Sequence, residues 1–324
     1  MFGILADDLT GALDGGVQLR KKGIPTAVLF GDRIESITSG SRGAIIIDTE
    51  SRNCGPALAG KKISKALQLL SNAGIELAYK KIDSTLRGNL GPEIAVLFDA
   101  GTCDRLLLCP ALPAFGRTVR QGQLLVHGVP LDETEFSIDP LAPVSSASLI
   151  EIISYQTGGK VPKERLIVPD VNSDADLLKI ARSLMDENSR ILPCGSAGLL
   201  QYLRTESIVD LRPAELRDGG LKSLAKSASP VLIVSSSLSE ITRAQLRLFA
   251  EQNPETVAIV RPDHRLLNLS ARSETERCVL SADRSLSLGK HVIIDSAGDR
   301  EEISSESDQA AEESRLIQNF ITEA

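Results

Sequence analysis

The chain has 324 residues, 36 basic against 43 acidic, and a formal net charge of -7, a balance that argues against sequence-independent binding to nucleic acid. Its 42% hydrophobic content suffices for a sizeable core and for two domains, yet no apolar run is long enough to span a bilayer. The five cysteines (Cys54, Cys103, Cys109, Cys194, Cys278) follow neither a metal-ligand nor a disulfide spacing, and the three histidines (His127, His264, His291) form no H-x-x-x-H pair, so no metal site is expected and a Ser/His triad is disfavoured.

Phe2 to Ala6 reads as a buried strand that ends in two adjacent carboxylates, Asp7 and Asp8. No basic leader precedes it, so a cytoplasmic protein is expected. Thr10 and Gly11 then turn the chain into a helix reaching Arg20. In an open α/β sheet, ligands bind at the carboxyl ends of strands, which makes the aspartate pair a candidate site. The plainer alternative is a helix N-cap with a solvated neighbour. Pro25 to Phe30 is a second strand. Gly43 to Asp48 is a third, continuous and β-branched as expected of a strand covered on both faces, with a polar exit from Asp48 to Arg52. Lys61 to Asn72 has helical spacing, and Glu76 to Ile82 is another strand.

That strand opens into Lys80-Lys81-Ile82-Asp83-Ser84-Thr85-Leu86-Arg87-Gly88-Asn89, followed by a helix from Gly91-Pro92-Glu93. A forked arginine beside a flexible turn and a fresh helix N-terminus suits a carboxylate or phosphate. A solvated turn with an Asp83–Arg87 surface pair is the alternative. Arg105 to Pro110 is the next strand, delivering Gly116 and Arg117, and Gln121 to Pro130 reads as a hairpin. A helix over Ala147 to Tyr155, a strand over Arg165 to Asp170, a capped helix from Ser173 and a strand over Arg190 to Cys194 complete this part.

From Arg212 to Pro230 the composition turns to Gly, Ser, Lys and Ala, as expected of a linker. A second α/β unit starts at Val231 to Ser235, whose serine-rich exit (Ser235 to Ser239) could cradle a phosphate or simply cap a helix. Thr256 to Val260 and His291 to Asp295 look like two more strands, and Glu301 to Ala324 like one frayed helix. The chain has neither G-x-x-x-x-G-K-[ST] nor G-x-G-x-x-G. The reading is thus two α/β domains: residues 1–211 with an open, mostly parallel sheet, a linker over 212–230, and a smaller, incomplete α/β domain over 231–324.

Ala6-Asp-Asp-Leu-Thr-Gly-Ala12, Asp48-Thr-Glu-Ser-Arg52, Lys81-Ile-Asp-Ser-Thr-Leu-Arg-Gly-Asn89, Pro110 to Arg117, and Gly128 to Glu135 with Asp139 to Val144 occur in an order that resembles the four-carbon acid sugar kinase family. The resemblance covers nearly all of residues 1 to 200. It implies an N-terminal domain for a small acid sugar, a C-terminal domain for ATP with Mg²⁺, and phosphorylation of the terminal hydroxyl of erythronate, threonate or a 3-oxo-tetronate. On the matching positions it implies that Arg87, Asn89 and Arg52 take the substrate carboxylate and that Asp7, Asp8 and Asp83 accept its hydroxyls. Thr10, Ser84, Gly88 and Arg117 complete the substrate site. Asp8, then Asp83, is the expected hydroxyl orienter, with Lys81 beside it, and Ser237, Ser239 and Thr242 face the nucleotide.

The family pattern continues past the position of Ala324 into glycine-rich segments that line the ATP site, so the nucleotide-binding domain is expected to be truncated. Two classes follow: a kinase, alone, as a homodimer or with a chain supplying the missing segment, or a degenerate or split kinase that binds the acid sugar without productive ATP binding. Strands without their closing partners also predict an exposed sheet edge and apolar face in residues 231–324.

Overall fold

The computed structural model describes residues 1–30, 43–139, 142–186, 190–203, 229–237 and 239–296. Contacts divide the chain into two compact units, Met1–Leu216 and Arg217–Ala324. Most of the expected linker, and all of the expected helix over 301–324, lie outside the described residues.

The first unit is built on a seven-stranded sheet, with strands β1 (Phe2–Ala6), β2 (Thr26–Phe30), β3 (Ala44–Asp48), β4 (Glu76–Lys81), β5 (Arg105–Cys109), β9 (Leu166–Ile167) and β10 (Ile191–Gly195). Their spatial order is β2-β3-β1-β4-β10-β5-β9, and every pairing is parallel. Every residue of β1 and β3 is buried, because helices cover both faces of a parallel sheet. Helix α1 (Leu9–Lys21) packs with α6 (Ala197–Tyr202), which also meets α5 (Asp174–Asp186). Helices α2 (Pro56–Asn72), α3 (Leu90–Asp99) and α4 (Leu149–Thr157) form the other packed set.

Two features differ from the sequence reading. The strand expected over Arg165 to Asp170 is only Leu166–Ile167. Pro169 has no N–H to give to a ladder, which accounts for the early end. The expected hairpin is a three-stranded antiparallel meander of β6 (Arg117–Arg120), β7 (Gln123–Val126) and β8 (Val129–Pro130). Both of its two-residue turns, Gln121-Gly122 and His127-Gly128, have positive φ at each central position, which is the twist a tight hairpin needs. The non-glycine residues at those turns hide the signal that Asn-Gly would have given.

The second unit has three parallel strands, β11 (Leu232–Ser235), β12 (Val257–Val260) and β13 (His291–Asp295), in the order β11-β13-β12, with helices α7 (Glu240–Gln252) and α8 (His264–Ser287). The edge strands carry exposed Leu232, Val234 and Ile259, while the central strand is mostly buried. Helix α8 has no clean apolar period and a non-helical residue at Ser270, so pattern alone assigns it no element.

Candidate functional site

Because the first sheet is wholly parallel, the exits of β1, β3 and β4 lie on one edge. The chain runs from β1 outward to β2 and β3 on one side, then crosses to β4 on the other. That reversal between β1 and β4 is a topological switch point, where an open α/β sheet forms its ligand crevice. Asp7 and Asp8 leave β1 on one side of it, and Asp83 leaves β4 on the other. A small cleft there is lined by Asp7, Asp83, Arg87, Asn89 and Glu93.

Arg52, from the β3 exit, is the centre of the charge lattice. Its Nε and Nη2 donate to the two oxygens of Asp7 at 2.9 and 3.1 Å. Its Nη1 and Nη2 donate to those of Asp8 at 2.6 and 2.8 Å. Asp83 Oδ1 stands 4.0 Å from Nη2. Gly88, at φ 96°, passes so close that a Cβ there would meet the Arg52 Cγ at 2.8 Å, which is why the turn needs glycine. Asp8 caps α1 through the Gly11 N–H at 2.8 Å, as the plainer reading of the pair expected, but its neighbour Asp7 is buried rather than solvated. Arg87 does pair with Asp83, at 2.7 Å, and reaches Asp139 at 3.1 Å; both partners are largely buried, so this is no surface pair.

Burial by itself would raise the Asp83 carboxyl. The guanidinium groups of Arg52 and Arg87, with hydrogen bonds from Arg87 and Thr85, overcome it and hold the group well below the usual carboxylate range. Burial pushes Asp8 the other way: its carboxyl is raised, against the pull of Arg52 and with the push of Asp7. A depressed carboxylate stabilises the fold above its unfolded value, near pH 4, and loses that contribution as pH falls toward the folded value. Asp83→Asn is therefore expected to cost on the order of 2 kcal/mol at pH 7. Its deficit against the parent should shrink between about pH 4 and pH 2 in urea melts. A deficit independent of pH would contradict this charge assignment.

The remaining candidate residues fall into distinct settings. Lys81 is buried, donates to the Ile82 carbonyl at 2.9 Å, and lies 2.9 Å from where a Cβ on Gly11 would stand, beside Asp8. Thr10 is exposed in the first turn of α1, and Ser84 is half-buried. The Asn89 amide donates to the carbonyls of Ser51, Arg52 and Cys54, so it clamps the loop that presents Arg52. Arg117 has a donor to spare. Its Nε is buried with no hydrogen-bond partner, its guanidinium lies 5.8 Å from the Phe115 ring centroid, and burial lowers its pKa.

Sequence reasoning passed over the polar layer behind these groups. Lys80 and Glu93 form a 2.7 Å ion pair, and Ser51 Oγ donates to Glu93 at 2.5 Å. Glu93 in a first helical turn reads as ordinary helix chemistry, and the usable signal was Lys80, a lysine inside a strand otherwise read as buried. Asp48 is also fully buried, with Oδ1 accepting from the Glu50 N–H and Oδ2 unpaired.

In the second unit, Ser237 Oγ lies 3.2 Å from Thr242 Oγ1 and accepts from the Ser239 N–H at 3.3 Å, at the entrance to α7. Asp295, at the end of the central strand, is buried and paired with Arg261 at 3.0 Å. Hydroxyls, arginines and a helix N-terminus are a donor set suited to phosphate oxygens. Among the described residues no group of three or more His, Cys, Asp or Glu side chains is placed to hold a metal ion, and no helix is long and apolar enough to cross a membrane.

The chain is similar to several known proteins. The chain is 33% identical over 317 residues to the D-threonate kinase of Salmonella typhimurium, covering 90% of this chain and 70% of that protein. It is 39% identical over 156 residues to the D-erythronate kinase of Heliobacterium modesticaldum, covering 48% of this chain and 36% of that protein. The fold is shared with a Haemophilus influenzae crystal structure assigned to DUF1537, at a TM-score of 0.61 and 23% identity, over 98% of this chain and 81% of that one. Residues 2–164, which hold the crevice and its arginines, match the model described as the sugar-binding N-terminal domain, and the chain belongs to that family.

Proposed function

We propose that the chain is an ATP-dependent kinase acting on the terminal hydroxyl of a four-carbon acid sugar of the threonate, erythronate or 3-oxo-tetronate type. In this reading Met1–Leu216 binds the acid and Arg217–Ala324 the nucleotide. The observation that carries it is the crevice between β1 and β4, where three carboxylates (Asp7, Asp8, Asp83) and two arginines (Arg52, Arg87) are paired at one sheet edge. The names of the relatives supply the substrate class.

Roles follow from which groups have capacity left. Arg52 has committed four hydrogen bonds to Asp7 and Asp8, so it sets their geometry and leaves little for a substrate. Arg117, with an unmet buried donor, is the first anchor for the substrate carboxylate, and Arg87 stands next to it in charge. Asp8 is the hydroxyl orienter. Its side chain is 24% exposed against 5% for Asp7, and its raised pKa brings it closer to the pH at which it must accept a proton. Asp83 is held too firmly ionised to be as good a base and serves to fix Arg87. Lys81 supplies positive charge beside Asp8, and Ser237, Ser239 and Thr242 receive the nucleotide phosphates. Mg²⁺ bound with ATP supplies charge neutralisation for the transferring phosphoryl group.

Calorimetric titration with Mg²⁺-ATP and with a panel of D-threonate, D-erythronate and their 3-oxo forms tests this reading. Binding of both ligand classes, followed by ADP release in a coupled assay, is the expected result. Binding of an acid without ATP would move the function to a substrate-binding or split enzyme, and binding of neither would end the proposal.

A further inference from the structure

At the wall of the crevice, Lys80 and Glu93 face each other with almost no solvent access, at 0 and 1% side-chain exposure. Glu93 Oε2 takes the Lys80 ammonium at 2.7 Å, and Oε1 takes the Ser51 hydroxyl at 2.5 Å. Ser51 Oγ lies 2.8 Å from Thr49 Oγ1, which donates to the Ala6 carbonyl at 2.7 Å. The Ser51 and Arg52 N–H groups both donate to the Asp7 carbonyl, at 2.9 and 3.1 Å. One connected polar layer thus joins the exits of β1, β3 and β4 to the first turn of α3. Its upper surface is Asp7 and Arg52.

As a stabilising device this layer is poorly chosen. A buried ion pair seldom outperforms apolar residues of the same shape, because desolvation consumes most of its attraction. The Lys80 ammonium and both Glu93 oxygens nonetheless each have a partner, and Glu93, then Asp7, holds the Lys80 ammonium above its ordinary pKa despite burial. Its geometric product is the placement of the 49–52 segment. Ser51, gripped by Glu93 below and by the Asn89 amide through its carbonyl, fixes the residue before Arg52.

We infer that Lys80 and Glu93, acting through Ser51, are positioning residues for the crevice: they hold Arg52 on Asp7 and Asp8, their own charged ends being taken up by each other and by Ser51. The consequence for acid-sugar binding rests on the function proposed above, while the effect on Arg52 does not.

The test replaces the pair together, as Lys80→Met with Glu93→Leu in the full chain, so that no buried charge is orphaned. Two readouts are needed. The first is solvent exchange of the Arg52 Nε–H proton by NMR, which needs no ligand. It is expected to quicken at least tenfold, because the bond to Asp7 loses its fixed register, while the thermal midpoint stays equal or rises. The second is affinity for the acid that the parent binds, expected to fall about tenfold or more. A folded double variant with unchanged Arg52 exchange overturns the inference, whatever the ligand result. Parent protein that binds no four-carbon acid removes only the functional reading, and the exchange measurement still decides the positioning role. Should the double variant fail to fold, Ser51→Ala, which cuts the link and leaves the ion pair, takes its place with the same outcomes.

Discussion

Asp8→Asn is expected to lower turnover about 100- to 10,000-fold, the range for removing a group that takes a proton in the transition state. Asparagine is as good an N-cap as aspartate, so the 2.8 Å bond from the Gly11 N–H survives and α1 keeps its start. Arg52 retains both oxygens of Asp7, so the lattice loses one carboxylate without collapsing. The thermal midpoint should therefore move by only a few degrees, and ATP binding should be unchanged. A variant with near-normal turnover would place the base elsewhere, with Asp83 next in line. A variant that loses turnover and folding together would show that the Asp8 carboxylate serves as the structural partner of Arg52, since asparagine keeps the cap.

Arg117→Met should separate binding from stability in the opposite direction. The parent side chain places a guanidinium in a partly buried position with one donor unmet, which costs the fold rather than helping it. Methionine fills similar space without the unmet donor, so stability is expected to hold or rise by up to about 1 kcal/mol. Affinity for the acid should fall about 10- to 100-fold, in line with loss of about 1.5–3 kcal/mol for a charge-assisted bond. Arg117→Lys should recover part of it, as a point charge replaces a fork. Unchanged affinity in Arg117→Met would return the carboxylate to Arg87 and Arg52. Denaturant melts and calorimetry on the same samples provide both numbers.

These expectations draw unequally on sequence and on structure. The strands β1, β3, β4, β5 and β10 were legible because buried parallel strands write themselves as short continuous apolar runs, and their polar exits at Asp7, Asp48 and Asp83 stood out against those runs. β9 and the meander were less so, since a two-residue strand has no period and its turns use Gln-Gly and His-Gly.

By itself the sequence determined the α/β class, the positions of the strand exits, and the charged residues standing at those exits, though not Lys80, Glu93 or Asp139 as their partners, because periodicity and chain punctuation are local properties. Only the tertiary structure decided which charges pair. Arg52 lies more than 40 residues from Asp7 and Asp8, and Glu93 lies 42 from Ser51, so nothing in local spacing announces either contact. Strand order brought β1, β3 and β4 side by side, and burial then left each arginine a different number of partners. That difference turns Arg52 into scaffold and Arg117 into the candidate anchor: a guanidinium's role follows from which of its donors the fold has already satisfied.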